Sequence, residues 1–207
     1  MRSPFYQHPS RMPWRATPFS AGLILISALV ALLSDTGANR AFVTPLVMAP
    51  NVEFFMAEPW RLLTPALLHF SWPHWIFNAL WMFAVGRLIE WRSAGVWVAV
   101  VLVSAAAGNL AQLVFGGTIW FGGLSGVVYG VLGYTALWDR LRSDVYAVPS
   151  VYLGLCLGFL AVGFTGLDRM LGMNLANFAH LGGLLGGLVV AIVHVGIERI
   201  TRKKLWT

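Results

Sequence analysis

Acidic residues are scarce in this chain, and none stands inside an apolar run. All eight (Asp35, Glu53, Glu58, Glu90, Asp139, Asp144, Asp168 and Glu198) lie outside or at the edges of the long hydrophobic stretches. A buried aspartate pair therefore cannot be assembled, which excludes an aspartyl intramembrane protease. Ion-coupled transport, which usually calls on an intramembrane acid, loses its basis as well. Cysteine is nearly missing: Cys156 is the only one and sits in an apolar run, so there is neither a disulfide framework nor a zinc ligand set. No His-Glu-x-x-His motif occurs, since His69 is followed by Phe70, His74 by Trp75 and His180 by Leu181. Internal repeats of the transporter kind are missing too. The residues call for no metal and no cofactor.

What fills the chain is hydrophobic. Charged residues make up 11% and hydrophobic residues 58% of 207 positions, against roughly a quarter charged in soluble domains. That composition indicates a membrane protein. Charge-free stretches long enough to span are Ala16–Ser34, Leu62–Gly86, Ser93–Trp138, Val145–Leu167 and Met170–Ile197. The third is long enough for two crossings with a turn around Gly116–Gly123, so six helices are expected. Ala41–Val52 is apolar but short and holds Pro45 and Pro50, which reads as an interfacial segment between helices 1 and 2.

Basic residues set the orientation. With six crossings both termini share a side. Arg2, Arg11, Arg15, Arg87, Arg92, Arg140, Arg142, Arg199, Arg202, Lys203 and Lys204 then lie in the cytoplasm, leaving Arg40, Arg61 and Arg169 outside. The net charge of +6 thus follows the positive-inside rule and does not indicate nucleic acid. Residues 1–18 read as a basic cytoplasmic lead-in rather than a cleaved leader, 19–200 as the membrane domain and 201–207 as a basic tail.

Polar groups inside spans default to function. On this topology His74 and Asn78 fall in the outer half of helix 2. Ser125 stands at the start of helix 4, and His180 follows the start of helix 6, so three helices carry polar groups at one depth. His69 reads as a local hydrogen-bonding residue, and His194 as an interfacial one near the inner end of helix 6. His74 and Asn78 are spaced i, i+4, and His180, Gly183 and Gly187 form a stripe facing Gly126, Gly130 and Gly133. Small-residue faces permit close helix approach, which would bring Ser125 beside His180. A serine needs a neighbouring base to become a nucleophile, and a helix N-terminus offers free N–H groups to an oxyanion. Ser125 N–H, Asn78 and His74 can furnish those donors, Tyr129 a wall for the imidazole, and Gly122 and Gly123 backbone access.

In combination, WR at Trp60–Arg61, HFSWPHWIFN at His69–Asn78, WFGGLSGVVYG at Trp120–Gly130 and GMNLANFAHLGGLLGG at Gly172–Gly187 resemble the rhomboid family of intramembrane serine proteases, over nearly the whole of residues 19–200. The resemblance implies an all-α, six-helix bundle with an interfacial hairpin and cleavage of single-pass transmembrane substrates near the outer face. It implies Ser125 as nucleophile, His180 as general base, and His74, Asn78 and the Ser125 amide as oxyanion donors. Tyr129, Gly123, Gly126, Gly183 and Gly187 would support them, and Met170, Leu171 and Met173 would belong to a cap over the site. Phe178 departs from the family, where a small residue is common, and could reshape substrate entry. Two alternatives stay open: a rhomboid specialised for C-terminal sorting signals, and a non-proteolytic binder of membrane clients. The short basic N-terminus and compact plan suggest a bacterial inner membrane.

Overall fold

The structure is a computed structural model that describes residues 13–142, 146, 148–170 and 174–201. Most of the basic N-terminal segment and tail, with Arg2, Arg11, Arg202, Lys203 and Lys204, lies outside the described residues, as do Asp144, Leu171 and Met173. Among the described residues every regular element is helical.

Helix α1 (Pro18–Leu33) opens with proline in its first turn, where the missing N–H costs nothing. The free N–H groups of Phe19 and Ser20 donate to the two Glu90 carboxylate oxygens, each at 2.7 Å. Arg87 Nε reinforces this end by donating to Thr17 Oγ1 at 2.9 Å. A charge that would be costly among apolar helices thus serves as a helix cap.

Short helices α2 (Arg40–Val43) and α3 (Val52–Ala57) follow, N-capped by the side chains of Asn39 and Asn51. Arg61 ties this segment together. Its guanidinium pairs with Glu58 and donates to the carbonyls of Thr44 at 2.6 Å and Val47 at 3.2 Å. Trp60 Nε1 adds a bond to Pro45 O at 3.2 Å.

Apolar sequence resumes at Leu62, but helix α4 (Trp72–Trp81) begins ten residues later. Prolines at 59 and 65 place two 3-10 turns, Pro59–Leu62 and Thr64–Leu67, before it. Ser71 then caps α4 by accepting the His74 N–H. A π turn at Met82–Gly86 carries α4 into α5 (Arg87–Arg92). Helix α6 (Ala94–Gly116) is capped by Ser93, and a loop leads to α7 (Ser125–Arg142). Helix α8 (Ser150–Thr165) starts after Pro149, later than the apolar run at Val145. The one-turn α9 (Leu167–Met170) precedes α10 (Asn177–Thr201), whose start also falls well inside the apolar stretch from Met170. Hydropathy counts the residues before a helix with the span, and at α4 and α8 a proline or cap marks the true helix start.

Helices α6, α7 and α10 pack against one another most extensively and position the site. Ala94–Gly116 and Asn177–Ile200 are long and apolar enough to cross a membrane, while α1 and α8 are shorter apolar helices. His194, near the inner end of α10, is buried in this packing. Its Nδ1 is 3.0 Å from the Tyr134 hydroxyl and its ring lies 4.4 Å from that of Trp138. The aromatic side chains of α7 cover it, a contact between helices that the position of one residue along α10 cannot reveal.

Candidate active site

Ser125 is the first residue of α7. The chain reaches it through Gly122, Gly123 and Leu124, and Gly123 takes φ +132°, a conformation L residues rarely adopt. Gly123 N–H donates to Pro65 O at 3.0 Å. A Cβ on Gly123 would stand 2.6 Å from His74 Cε1, so the His74 imidazole edge lies directly against this backbone, next to Ser125.

His180 lies in the first turn of α10, three residues after Asn177, with only 6% of its surface exposed. Its Nε2 is 2.8 Å from Ser125 Oγ. The close approach comes from α10 lying backbone to backbone on α7. Cβ atoms on Gly183 and Gly187 would collide with the carbonyls of Gly126 and Gly130. On the other flank, a Cβ on Gly108 of α6 would meet Ala179 O at 2.7 Å. The imidazole stacks on Tyr129, ring centroids 4.6 Å apart and planes 11° from parallel. Its Nδ1 has no hydrogen-bond partner among the described residues. Packing thus holds the ring where a carboxylate would otherwise do so.

Three hydrogen bonds secure this geometry. Gln112 Oε1, on α6, accepts the Ala179 N–H at 3.2 Å, one residue before His180. Asn177 Nδ2 donates to Gly163 O of α8 at 2.7 Å. The Tyr129 hydroxyl donates to Cys156 O of α8 at 2.6 Å.

The remaining polar side chains form a network on the other side of Ser125. Asn78 is 1% exposed, and its Nδ2 donates to His74 O at 3.1 Å and approaches His69 Nε2 at 3.3 Å. His69 Nε2 also receives the Leu124 N–H at 3.3 Å, while Nδ1 faces Leu67 O at 3.2 Å. A carbonyl only accepts, so Nδ1 carries the proton and Nε2 is the acceptor. Both amide hydrogens of Asn78 are therefore engaged within the protein. A small cavity of about 10 Å³, room for about one water, lies behind Ser125 beside Ser104 and Asn109.

The residues singled out by sequence thus surround the start of α7: Ser125, His180, Tyr129, Gly123, Gly126, Gly183 and Gly187 in direct packing, with His74 and Asn78 across the Gly123 turn. Phe178 packs between Phe115 of α6 and Phe164 of α8, centroids 5.6 and 5.2 Å away. Gln112 was passed over, as was Asn109, whose Nδ2 donates to Leu62 O at 2.7 Å. Uncharged amides inside a long apolar run were the signal available. Buried His69 was read as local, yet it reaches the residue before Ser125.

A partly buried serine hydrogen-bonded to a buried histidine on two closely packed helices, with imidazole and amide groups alongside and long apolar helices around them, defines a helical membrane protein equipped for nucleophilic chemistry. The family model for the Rhomboid domain matches residues 56–196. Rhomboid protease GlpG from Klebsiella pneumoniae subsp. pneumoniae and from Klebsiella pneumoniae strain 342 are each 34% identical over 195 residues, covering 93% of this chain and 67% of theirs. The chain belongs to the rhomboid family: it is an integral membrane serine protease that acts within the bilayer.

Proposed function

We propose that Ser125 and His180 form a catalytic dyad that cleaves single-pass transmembrane proteins near the outer face of the membrane. The 2.8 Å separation of Ser125 Oγ and His180 Nε2 carries this reading. His180 Nε2 takes the hydroxyl proton as Oγ attacks the scissile carbonyl carbon. The oxyanion that forms is met by the Ser125 N–H, free at a helix N-terminus, and by His74 and Asn78. Asn78 reaches it by releasing one of its present partners. The protonated imidazole then gives its proton to the leaving amine. Water, deprotonated in turn by His180, releases the acyl group from Oγ.

Gly123 keeps the approach to Ser125 open, while Gly126, Gly183 and Gly187 let α10 carry its base to α7. Six crossings with cytoplasmic ends agree with the basic residues lying mostly at the two termini and in the loops after helices 2 and 4. Residues 19–200 form the protease domain on this plan, between basic cytoplasmic ends, in a bacterial inner membrane. The test is a fluorophosphonate probe together with a single-pass reporter substrate in liposomes. Wild type is labelled and cleaves, whereas Ser125→Ala does neither while keeping its melting transition. Undiminished cleavage by Ser125→Ala overturns the reading.

A further inference from the structure

Helix α8 is thinly embedded. Its buried residues are Cys156, Leu160 and Gly163, spaced i, i+4, i+7 along one stripe. Two of those three offer their carbonyls to side chains that flank the Ser125–His180 pair. Cys156 O receives the hydroxyl of Tyr129, one turn beyond Ser125, at 2.6 Å. Gly163 O receives the amide of Asn177, three residues before His180, at 2.7 Å. Gly163 lies in the last turn of α8, where carbonyls lack an intrahelical donor, so Asn177 satisfies a group that nothing else in the helix serves. A Cβ on Gly163 would occupy the place of the Asn177 side chain, which makes this approach specific.

Among the described residues no group orients His180 through Nδ1. Its orientation rests on the first turn of α10 and on the parallel face of Tyr129, and both of these supports are fastened to α8. We propose that Asn177 and Tyr129 are positioning residues through which the docking of α8 sets the His180 ring, so that activation of Ser125 depends on where α8 sits. This rests on the dyad reading. A transmembrane segment that displaces α8 acts on the base through two hydrogen bonds, with no rearrangement of α6 or α7 required.

The experiment uses the full chain in liposomes with Asn177→Leu, Tyr129→Phe and the double variant. Leucine keeps the bulk of the amide without its donor, and phenylalanine keeps the stacked ring without its hydroxyl. The end point of fluorophosphonate labelling counts competent molecules, and its rate reads the dyad. Each single variant is expected to label about tenfold more slowly or worse, with kcat on a single-pass reporter falling alike. KM should stay within about twofold. The double variant should be no slower than the slower single, because both act through one docked helix. Unchanged rates overturn the proposal, as do losses that multiply in the double variant. Loss confined to the end point, with the rate of the remaining molecules intact, also overturns it by showing a purely structural role. If Ser125→Ala is still labelled, the dyad reading itself fails. If Ser125→Ala is dead while Asn177→Leu is fast, only the coupling fails.

Discussion

His69 Nε2 accepts the backbone N–H of Leu124 across 55 residues of chain. The same nitrogen meets Asn78 Nδ2, so one neutral imidazole locks the turn before Ser125 to the α4 amide. Among the described residues no hydrogen bond joins His69 to His180, yet this bond fixes the backbone immediately before the serine.

Replacing His69 with leucine leaves two buried donors without an acceptor. At about 1–3 kcal/mol for each buried unsatisfied group, the expected loss is about 2–6 kcal/mol of stability. Denaturation in detergent micelles measures it. His69→Gln, which retains an acceptor, should recover part of the loss, and equal losses for the two variants would refute the hydrogen-bond account.

Gly187→Ala should damage the protein far more than its small size suggests. The added methyl meets the Gly130 carbonyl, and backbone cannot step aside as a side chain does. A destabilisation of about 1–3 kcal/mol or more is expected, with fewer molecules reaching full labelling by an active-site probe. Gly154→Ala is the matched control, because a Cβ there meets nothing within 4 Å. It should be neutral or stabilise by up to about 1 kcal/mol.

Gln112→Leu removes the acceptor for the Ala179 N–H at the start of α10. Loss of such a cap costs about 1 kcal/mol. Because the capped residue adjoins His180, the labelling rate should fall as well, measured at a temperature where the variant is fully folded. A slower rate with an unchanged end point is the expected pattern.

Glu90→Gln should separate stability from catalysis. The carboxylate holds the first turn of α1 through Phe19 and Ser20, and its charge favours that helix end. A loss of about 1–2 kcal/mol is expected, with the rate of Ser125 labelling unaltered, since α1 makes no hydrogen bond to the site residues.

The proximity of Ser125 and His180 could be read from sequence because Gly183 and Gly187, at i+3 and i+7 from His180, share a face with it, and bare faces meet. The orthogonal facts could not. That Gln112 faces Ala179 depends on the rotation of α6, and an uncharged amide inside a charge-free run carries no periodic signal. Helix starts at Trp72, Ser150 and Asn177 were blurred for a related reason: the loops before them are as apolar as the helices. His69 shows the limit most clearly, since its role depends on Leu124 and Asn78 arriving together from separate parts of the chain. The burial of His194 likewise depends on which face of α7 turns its tyrosine and tryptophan inward.

The Glu90 carboxylate also fixes an order of events during synthesis. Phe19 and Ser20 precede their acceptor by 71 and 70 positions. At about 5–20 residues per second, roughly 4 to 14 seconds separate the emergence of α1 from that of its anchor. The helix made first is therefore fastened late, and for that interval its exposed amino end must be tended by headgroups, water or the insertion machinery.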